Sequence, residues 1–114
     1  MNLNKKEIKL LFKFGKFYYY NNIFKLFFLR NTINKVSIII PKKKIKKAVL
    51  RNKIKRRILH SLNINNFFIK INPTFLIIFL YINKNILNFN ILNYNIKNII
   101  YKINYGKIFN YRTR

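Results

Sequence analysis

At 114 residues the chain has the length of one small domain, and 25 lysines and arginines against a single acid, Glu7, give it a net charge of +24. It has no cysteine, one histidine and one carboxylate side chain, which excludes disulfides, a protein-built catalytic metal centre and a catalytic pair of carboxylates. If the protein takes part in chemistry, another molecule must supply the reactive groups.

The positive charge points to a polyanionic partner, but the arginines are stronger evidence for it than the lysines. The chain is rich in Asn, Ile, Lys, Phe and Tyr, a bias typical of AT-rich coding sequences, which inflates lysine and removes arginine. Three arginines nevertheless cluster at Arg51, Arg56 and Arg57. This segment is therefore the best candidate for a selected function.

The sequence shows no segment that predicts export or membrane insertion. The N-terminus lacks an apolar core followed by small residues. The longest apolar run, residues 75–82, is far shorter than the ~20 residues of a spanning helix. We expect one cytoplasmic domain over residues 1–114, with a basic tail at about 105–114.

Residues 5–14 predict a short amphipathic helix, with Ile8, Leu11 and Phe12 on its apolar side. Gly15 follows in the position of a left-handed helix cap. Ile8 and Phe12 have two interpretations, as core residues or as part of a groove in which bases stack.

The next segment predicts strands. Residues 17–20 and 23–29 are rich in aromatic side chains and are separated by Asn21 and Asn22, and residues 36–40 form a further strand that ends at Pro41. The tyrosines are expected mainly to pack on the sheet, with base stacking as the alternative.

Residues 42–62, KKKIKKAVLRNKIKRRILHSL, open with a lysine run and continue as a helix. Leu50, Ile54, Ile58 and Leu62 recur every four residues and form a narrow apolar stripe. The rest of the helix is basic, and the spacing places Arg51, Asn52, Lys55 and Arg56 on one side. Like charges at this spacing repel one another, so the array predicts a nucleic acid partner, most simply RNA. His60 is interpreted as a helix-surface residue without a catalytic role.

The C-terminal third predicts one strand and one helix. Residues 75–82 lack a helical period and predict a central strand buried on both faces. Asn88 or Asn90 is the expected N-cap of the last helix, whose apolar positions recur at three and four. These positions are Leu92, Ile96, Ile99, Ile100 and Ile103. The order of elements predicts an α+β fold, a small two-layer sandwich in which the central basic helix and the terminal helices pack on a sheet of about four strands.

The central motif resembles that of a known family. Lys43-Lys44, Ala48-Val49, Arg51-Asn52-Lys53 and Lys55-Arg56, placed after a strand, are similar to the signature of the bacterial ribonuclease P protein component. The segment EIKLLFKFG at residues 7–15 resembles the opening helix of that family. The resemblance covers nearly the whole chain, but only the central motif is specific.

The resemblance implies a left-handed βαβ crossover and a role as the accessory subunit of ribonuclease P. In that enzyme a catalytic RNA uses Mg²⁺, bound mainly by the RNA, to remove the 5′ leader of precursor tRNA. The implied partners are therefore this RNA and precursor tRNA, with no membrane and no DNA.

The resemblance, together with the charge pattern, also assigns site residues. Those expected to contact the catalytic RNA are Lys43, Lys44, Lys47, Arg51, Asn52, Lys53, Lys55, Arg56 and Arg57. Those expected to line a leader-binding cleft between the first helix and the sheet are Ile8, Phe12, Lys13 and Tyr18.

Three positions depart from the family pattern. Ile8 is not aromatic, Lys53 stands in place of an arginine, and Lys46 stands where a glycine is usual. Two other functions stay open on sequence alone: a small basic ribosomal protein that binds ribosomal RNA, and a basic amphipath that binds membrane surfaces. The central motif favours ribonuclease P over both.

Overall fold

The computed structural model describes residues 2–71 and 74–106. Its elements are α1 (Lys5–Phe14), β1 (Lys16–Tyr20), β2 (Phe24–Arg30), β3 (Lys35–Ile39), α2 (Ala48–Ile64), α3 (Phe67–Lys70), β4 (Phe75–Tyr81) and α4 (Phe89–Asn104). The predicted order of helices and strands is confirmed. The four-residue helix α3 was missed because it is too short to show a helical period. Most of the expected basic tail, residues 107–114, lies outside the described part of the chain.

Helix α1 begins with a reciprocal capping box. The Glu7 N–H donates to Asn4 Oδ1 at 2.8 Å, and the Asn4 N–H donates to Glu7 Oε1 at 2.9 Å. Glu7 Oε2 also accepts a hydrogen bond from Lys35 Nζ at 3.0 Å. The backbone bond to Asn4 and the contact with Lys35 lower the pKa of the Glu7 carboxyl. The only acid of the chain therefore stabilises a helix end and ties α1 to β3.

The prediction of a left-handed cap at Gly15 is wrong. Gly15 is extended, with φ −70° and ψ 150°, because the chain passes directly from α1 into β1. Glycine is needed there for space: a Cβ would lie 2.5 Å from the Leu11 carbonyl oxygen and 3.1 Å from that of Phe28. The requirement comes first from the last turn of α1 and second from β2, which is distant in sequence.

The four strands form one mixed sheet in the order β1-β2-β4-β3. Asn21 and Asn22 have positive φ values of 47° and 55° and form the tight turn between β1 and β2, as asparagine tolerates this region better than most residues. Strand β4 is antiparallel to β2 and parallel to β3, so it is the buried central strand that its apolar run predicts. Helix α2 makes the crossover between the parallel strands β3 and β4; the left hand of this crossover stays a prediction.

Helices cover both faces of the sheet. The predicted apolar stripe of α2 is confirmed, with Ile54, Ile58 and Leu62 fully buried, and the apolar positions of α4 are buried beside it. Helix α1 packs on the opposite face through Leu11, against Phe27 and Ile78. The α+β class and the four-stranded sheet are confirmed, and the structure adds that α1 lies apart from the other long helices.

Of the two expected N-caps of α4, the structure selects Asn88, whose Oδ1 accepts from the Ile91 N–H at 3.0 Å. Within residues 2–71 and 74–106, no helix has the length and apolar character needed to span a membrane.

Candidate nucleic-acid interface

The lysine run at residues 42–47 precedes α2 and begins as a compact turn, and we call this segment the lysine turn. The backbone N–H groups of Lys44 and Ile45 both donate to the Pro41 carbonyl oxygen, at 3.1 and 3.2 Å. Ile45 is buried in the main core and anchors the turn. Lys43 and Lys47 are exposed, and Lys44 is half-buried. The fold thus presents charged side chains from a fixed backbone just before the helix.

Arg51 fixes this turn to α2. Its Nη1 donates to the carbonyl oxygens of Ile45 and Lys46, at 2.9 and 2.7 Å. Its half-buried side chain therefore has a structural role that the sequence pattern did not reveal. The guanidinium keeps further N–H groups, so it can position the turn and still contribute charge to a bound polyanion.

Arg57 makes a similar contact on the other side of the helix. Its Nη1 donates to the Leu87 carbonyl oxygen at 2.7 Å, which holds α2 against the loop that precedes α4. Ser61 Oγ and Asn65 Nδ2 extend this link by donating to Asn93 Oδ1 at 2.7 and 2.8 Å. The spacing of α2 and α4 is therefore fixed by polar as well as apolar contacts.

The exposed side chains of α2 carry the free charge of the surface. Asn52, Lys53, Lys55 and Arg56 are all exposed, and the first turn of α2 has no acidic residue. In the part of the chain that the structure describes, the one ion pair joins Lys35 to Glu7, away from α2. The positive potential of this helix is thus not neutralised within the described protein, which favours binding of a polyanion.

The structure corrects the prediction that Arg51, Asn52, Lys55 and Arg56 share one side. Arg51 turns back to the lysine turn. Lys55 borders a groove of about 480 Å³ beside β3, whereas Arg56 borders a pocket of about 330 Å³ beside the start of α4. Adjacent positions diverge by about 100° around a helix, and the neighbouring elements then separate them into two depressions.

The predicted leader-binding residues are only partly brought together. Ile8 is half-buried against the α1 side of the sheet. Phe12 is 47% exposed and stands edge-on to Phe27, with ring centroids 4.9 Å apart, and Lys13 is exposed on the same helix. Tyr18, however, packs on the opposite side, against the core formed with α2 and α4. Its place in the cleft was wrong because alternate residues of a strand face opposite ways.

The same alternation places two other aromatic residues of β1, Phe17 and Tyr19, on the side of the sheet that Phe12 covers, and the rings of Phe12 and Phe17 both contact Phe27. Phe17 packs with the α1-side core, and the Tyr19 ring lies 5.9 Å from that of Phe17. Lys25 Nζ lies over both rings, at 4.4 and 5.1 Å from their centroids. We call Phe12, Phe17, Tyr19 and Lys25 the aromatic patch. Alternate residues of a strand share a face, so the sequence could have grouped Tyr19 with Phe17 once the face of the sheet occupied by Phe17 was known.

The described residues contain no group of three or more His, Cys, Asp or Glu side chains that could hold a metal ion. What the surface offers is cations, amide groups and aromatic rings, which contact phosphates and bases.

Comparison with known proteins identifies the family and the fold of the chain. The family model for Ribonuclease P matches residues 3–104. The RNase P protein of Thermotoga maritima has a similar structure, with a TM-score of 0.76 and 24% identity over 90% of this chain and 97% of that one. The RNase P protein of Staphylococcus aureus gives a TM-score of 0.72 and 20% identity over 95% of both chains. At these identities the two structures establish the fold alone.

A search of curated protein sequences gave no significant match. The family model spans nearly the whole domain, including α2 with its Arg51-Asn52-Lys53 motif. The chain therefore belongs to the ribonuclease P protein family.

Proposed function

We propose that this chain binds the catalytic RNA of ribonuclease P through α2 and the lysine turn, and in this way assists removal of the 5′ leader from precursor tRNA. Its family supplies the accessory protein subunit of the enzyme, and the RNA carries the catalysis. The main support for this proposal is the positive charge of α2, which no acidic side chain of the described residues neutralises and which is exposed at Lys53, Lys55 and Arg56. Two flanking arginines hold the backbone around them.

The proposed mechanism is positioning and charge neutralisation. Lys43, Lys47, Lys53, Lys55 and Arg56 contact phosphates of the RNA, and Asn52 donates or accepts a hydrogen bond at its surface. Arg51 and Arg57 act mainly by fixing the geometry from which these side chains project. Cations supplied by the protein replace part of the Mg²⁺ that an RNA needs to remain compact, while the remaining Mg²⁺ is held by RNA phosphates.

For the leader we propose the aromatic patch. Phe12, Phe17 and Tyr19 offer ring surface for stacking of unpaired bases, and Lys25 and Lys13 supply charge for the backbone. This assignment keeps Phe12 and Lys13, leaves Ile8 as an apolar support, and removes Tyr18. We place this assembly in the cytoplasm, with precursor tRNA as its substrate.

The test is cleavage of a precursor tRNA by the cognate RNA at low Mg²⁺, with and without the protein. Rescue of correct 5′ cleavage by the protein, together with no cleavage by the protein alone, supports the proposal. Absence of rescue combined with selective binding to ribosomal RNA would contradict it and favour a ribosomal role.

A further inference from the structure

The pocket between α2 and α4 contains two aromatic rings, His60 and Phe89, to which binding of phosphates assigns no role. It is lined by Lys53, Arg56, Arg57, His60 and Phe89, and we call it the basic pocket. Its volume is about 330 Å³, at the lower end of the ~300–1,000 Å³ that is usual for small-ligand sites. It is open to solvent, as a site for part of a larger molecule must be.

An aromatic pair stands within this ring of cations. The rings of His60 and Phe89 have centroids 5.0 Å apart and planes inclined by 40°. His60 is exposed and Phe89 is half-buried, so the pair has a supported side and a side that faces solvent. The two residues are 29 positions apart in sequence, and only the packing of α4 on α2 brings them together.

The surroundings of the pair are positive throughout. Lys53 and Arg56 are exposed at its border, and Arg57 Nη1 is held by the Leu87 carbonyl oxygen. Phe89 is the first residue of α4, whose first turn has no acidic residue, so the helix dipole adds to the positive potential. Aromatic rings that lie among cations are the combination by which proteins hold unpaired nucleotides.

Hydrogen bonds also hold together the two helices that form the pocket. Asn93 of α4 accepts hydrogen bonds from Ser61 of α2 and from Asn65, the residue that caps the C-terminus of α2. A preformed site loses little conformational entropy when a ligand binds, so a single stacked base can contribute measurable affinity.

We propose that the basic pocket receives one unpaired nucleotide of the RNA partner, whose base stacks on the His60–Phe89 pair while Lys53 and Arg56 contact its phosphates. This inference rests on the proposed function, because it assumes an RNA bound across α2. The RNA would then be bound through one of its bases as well as through its phosphates.

The first test uses small probes and does not require the RNA. His60 is the single histidine of the chain, so its ring protons give unambiguous NMR signals. Adenosine 5′-monophosphate should move these signals upfield and saturably, together with those of Phe89. Ribose 5-phosphate, which has the charge without the base, should not. Equal shifts with both probes, or no shift with either, would overturn the stacking site.

The second test measures affinity for the cognate ribonuclease P RNA. His60→Ala and Phe89→Leu should each weaken binding by about 5- to 150-fold, the range for loss of one base–aromatic stack. Phe89→Leu removes no charge, so it should leave the slope of log affinity against log salt unchanged. Tyr101→Ala, at an exposed aromatic residue far along α4, is the matched control and should change affinity less than twofold.

The outcomes separate the inference from the proposed function. Circular dichroism first verifies that each variant is folded. If the wild-type protein binds the RNA and rescues cleavage while both pocket variants match it, the stacking site is refuted and the proposed function stands. If the wild-type protein neither binds nor rescues, both are refuted.

Discussion

Arg51 and Arg56 are two arginines of one helix that should respond very differently to substitution. Arg51 donates to the carbonyl oxygens of Ile45 and Lys46, whereas Arg56 is exposed and has no such contact among those described. A hydrogen bond from a charged donor contributes about 1.5–3 kcal/mol when well shielded. Because Arg51 is partly exposed and solvent weakens the bond, we expect Arg51→Ala to lower the free energy of unfolding by about 1–2 kcal/mol, below most of that range. Arg56→Ala should change it by less than about 0.5 kcal/mol.

The effect on RNA binding follows a different rule. Each lost phosphate contact reduces the magnitude of the log–log salt slope by about 0.9. Between 50 and 200 mM salt, the affinity deficit of Arg56→Ala relative to wild type should therefore shrink by about 3.5-fold. Arg51→Lys separates the two roles of Arg51, because lysine keeps the charge but loses the planar fork of donors. It should retain the salt slope and lose stability.

The assays are urea unfolding of the free protein and RNA binding at four or more salt concentrations. Equal stability of Arg51→Ala and Arg56→Ala would refute the structural role of Arg51. An unchanged salt slope in Arg56→Ala and in Lys55→Ala would remove the exposed side of α2 from the RNA interface.

Three further results are expected. Gly15→Ala should lower the free energy of unfolding by about 1–3 kcal/mol, because the new Cβ meets the Leu11 carbonyl oxygen at 2.5 Å; wild-type stability in urea would contradict this. The pKa of Glu7 is lowered in the folded protein, so its contribution is present above its unfolded pKa, near 4.5, and is lost as pH falls through the folded pKa. Thermal melts between pH 2 and pH 7 should show this loss in the wild type and much less of it in Glu7→Gln. Phe12→Ala should weaken binding of precursor tRNA by about 5-fold or more and leave binding of leaderless tRNA unchanged; equal loss for both substrates would exclude a leader contact.

Local sequence patterns were sufficient for much of this molecule. Aromatic-rich segments and the length of apolar runs identified the strands, and the four-residue period of Leu50, Ile54 and Ile58 identified the buried side of α2. The Arg51-Asn52-Lys53 motif identified the family. These features depend on neighbours within a few positions, which is the range over which helix and strand geometry acts.

Other features depended on contacts between distant segments. Part of the limit on space at Gly15 comes from Phe28, and Tyr18 is assigned to the α2 side only by the pairing of β1 with β2. His60 carried no signal in sequence, because its partner Phe89 comes from a helix beyond the next strand. Composition and periodicity thus determined which segments are helix or strand and which helix carries the clustered basic side chains. The tertiary structure alone decided which side chains meet, since strand order and helix packing join residues that no local period relates.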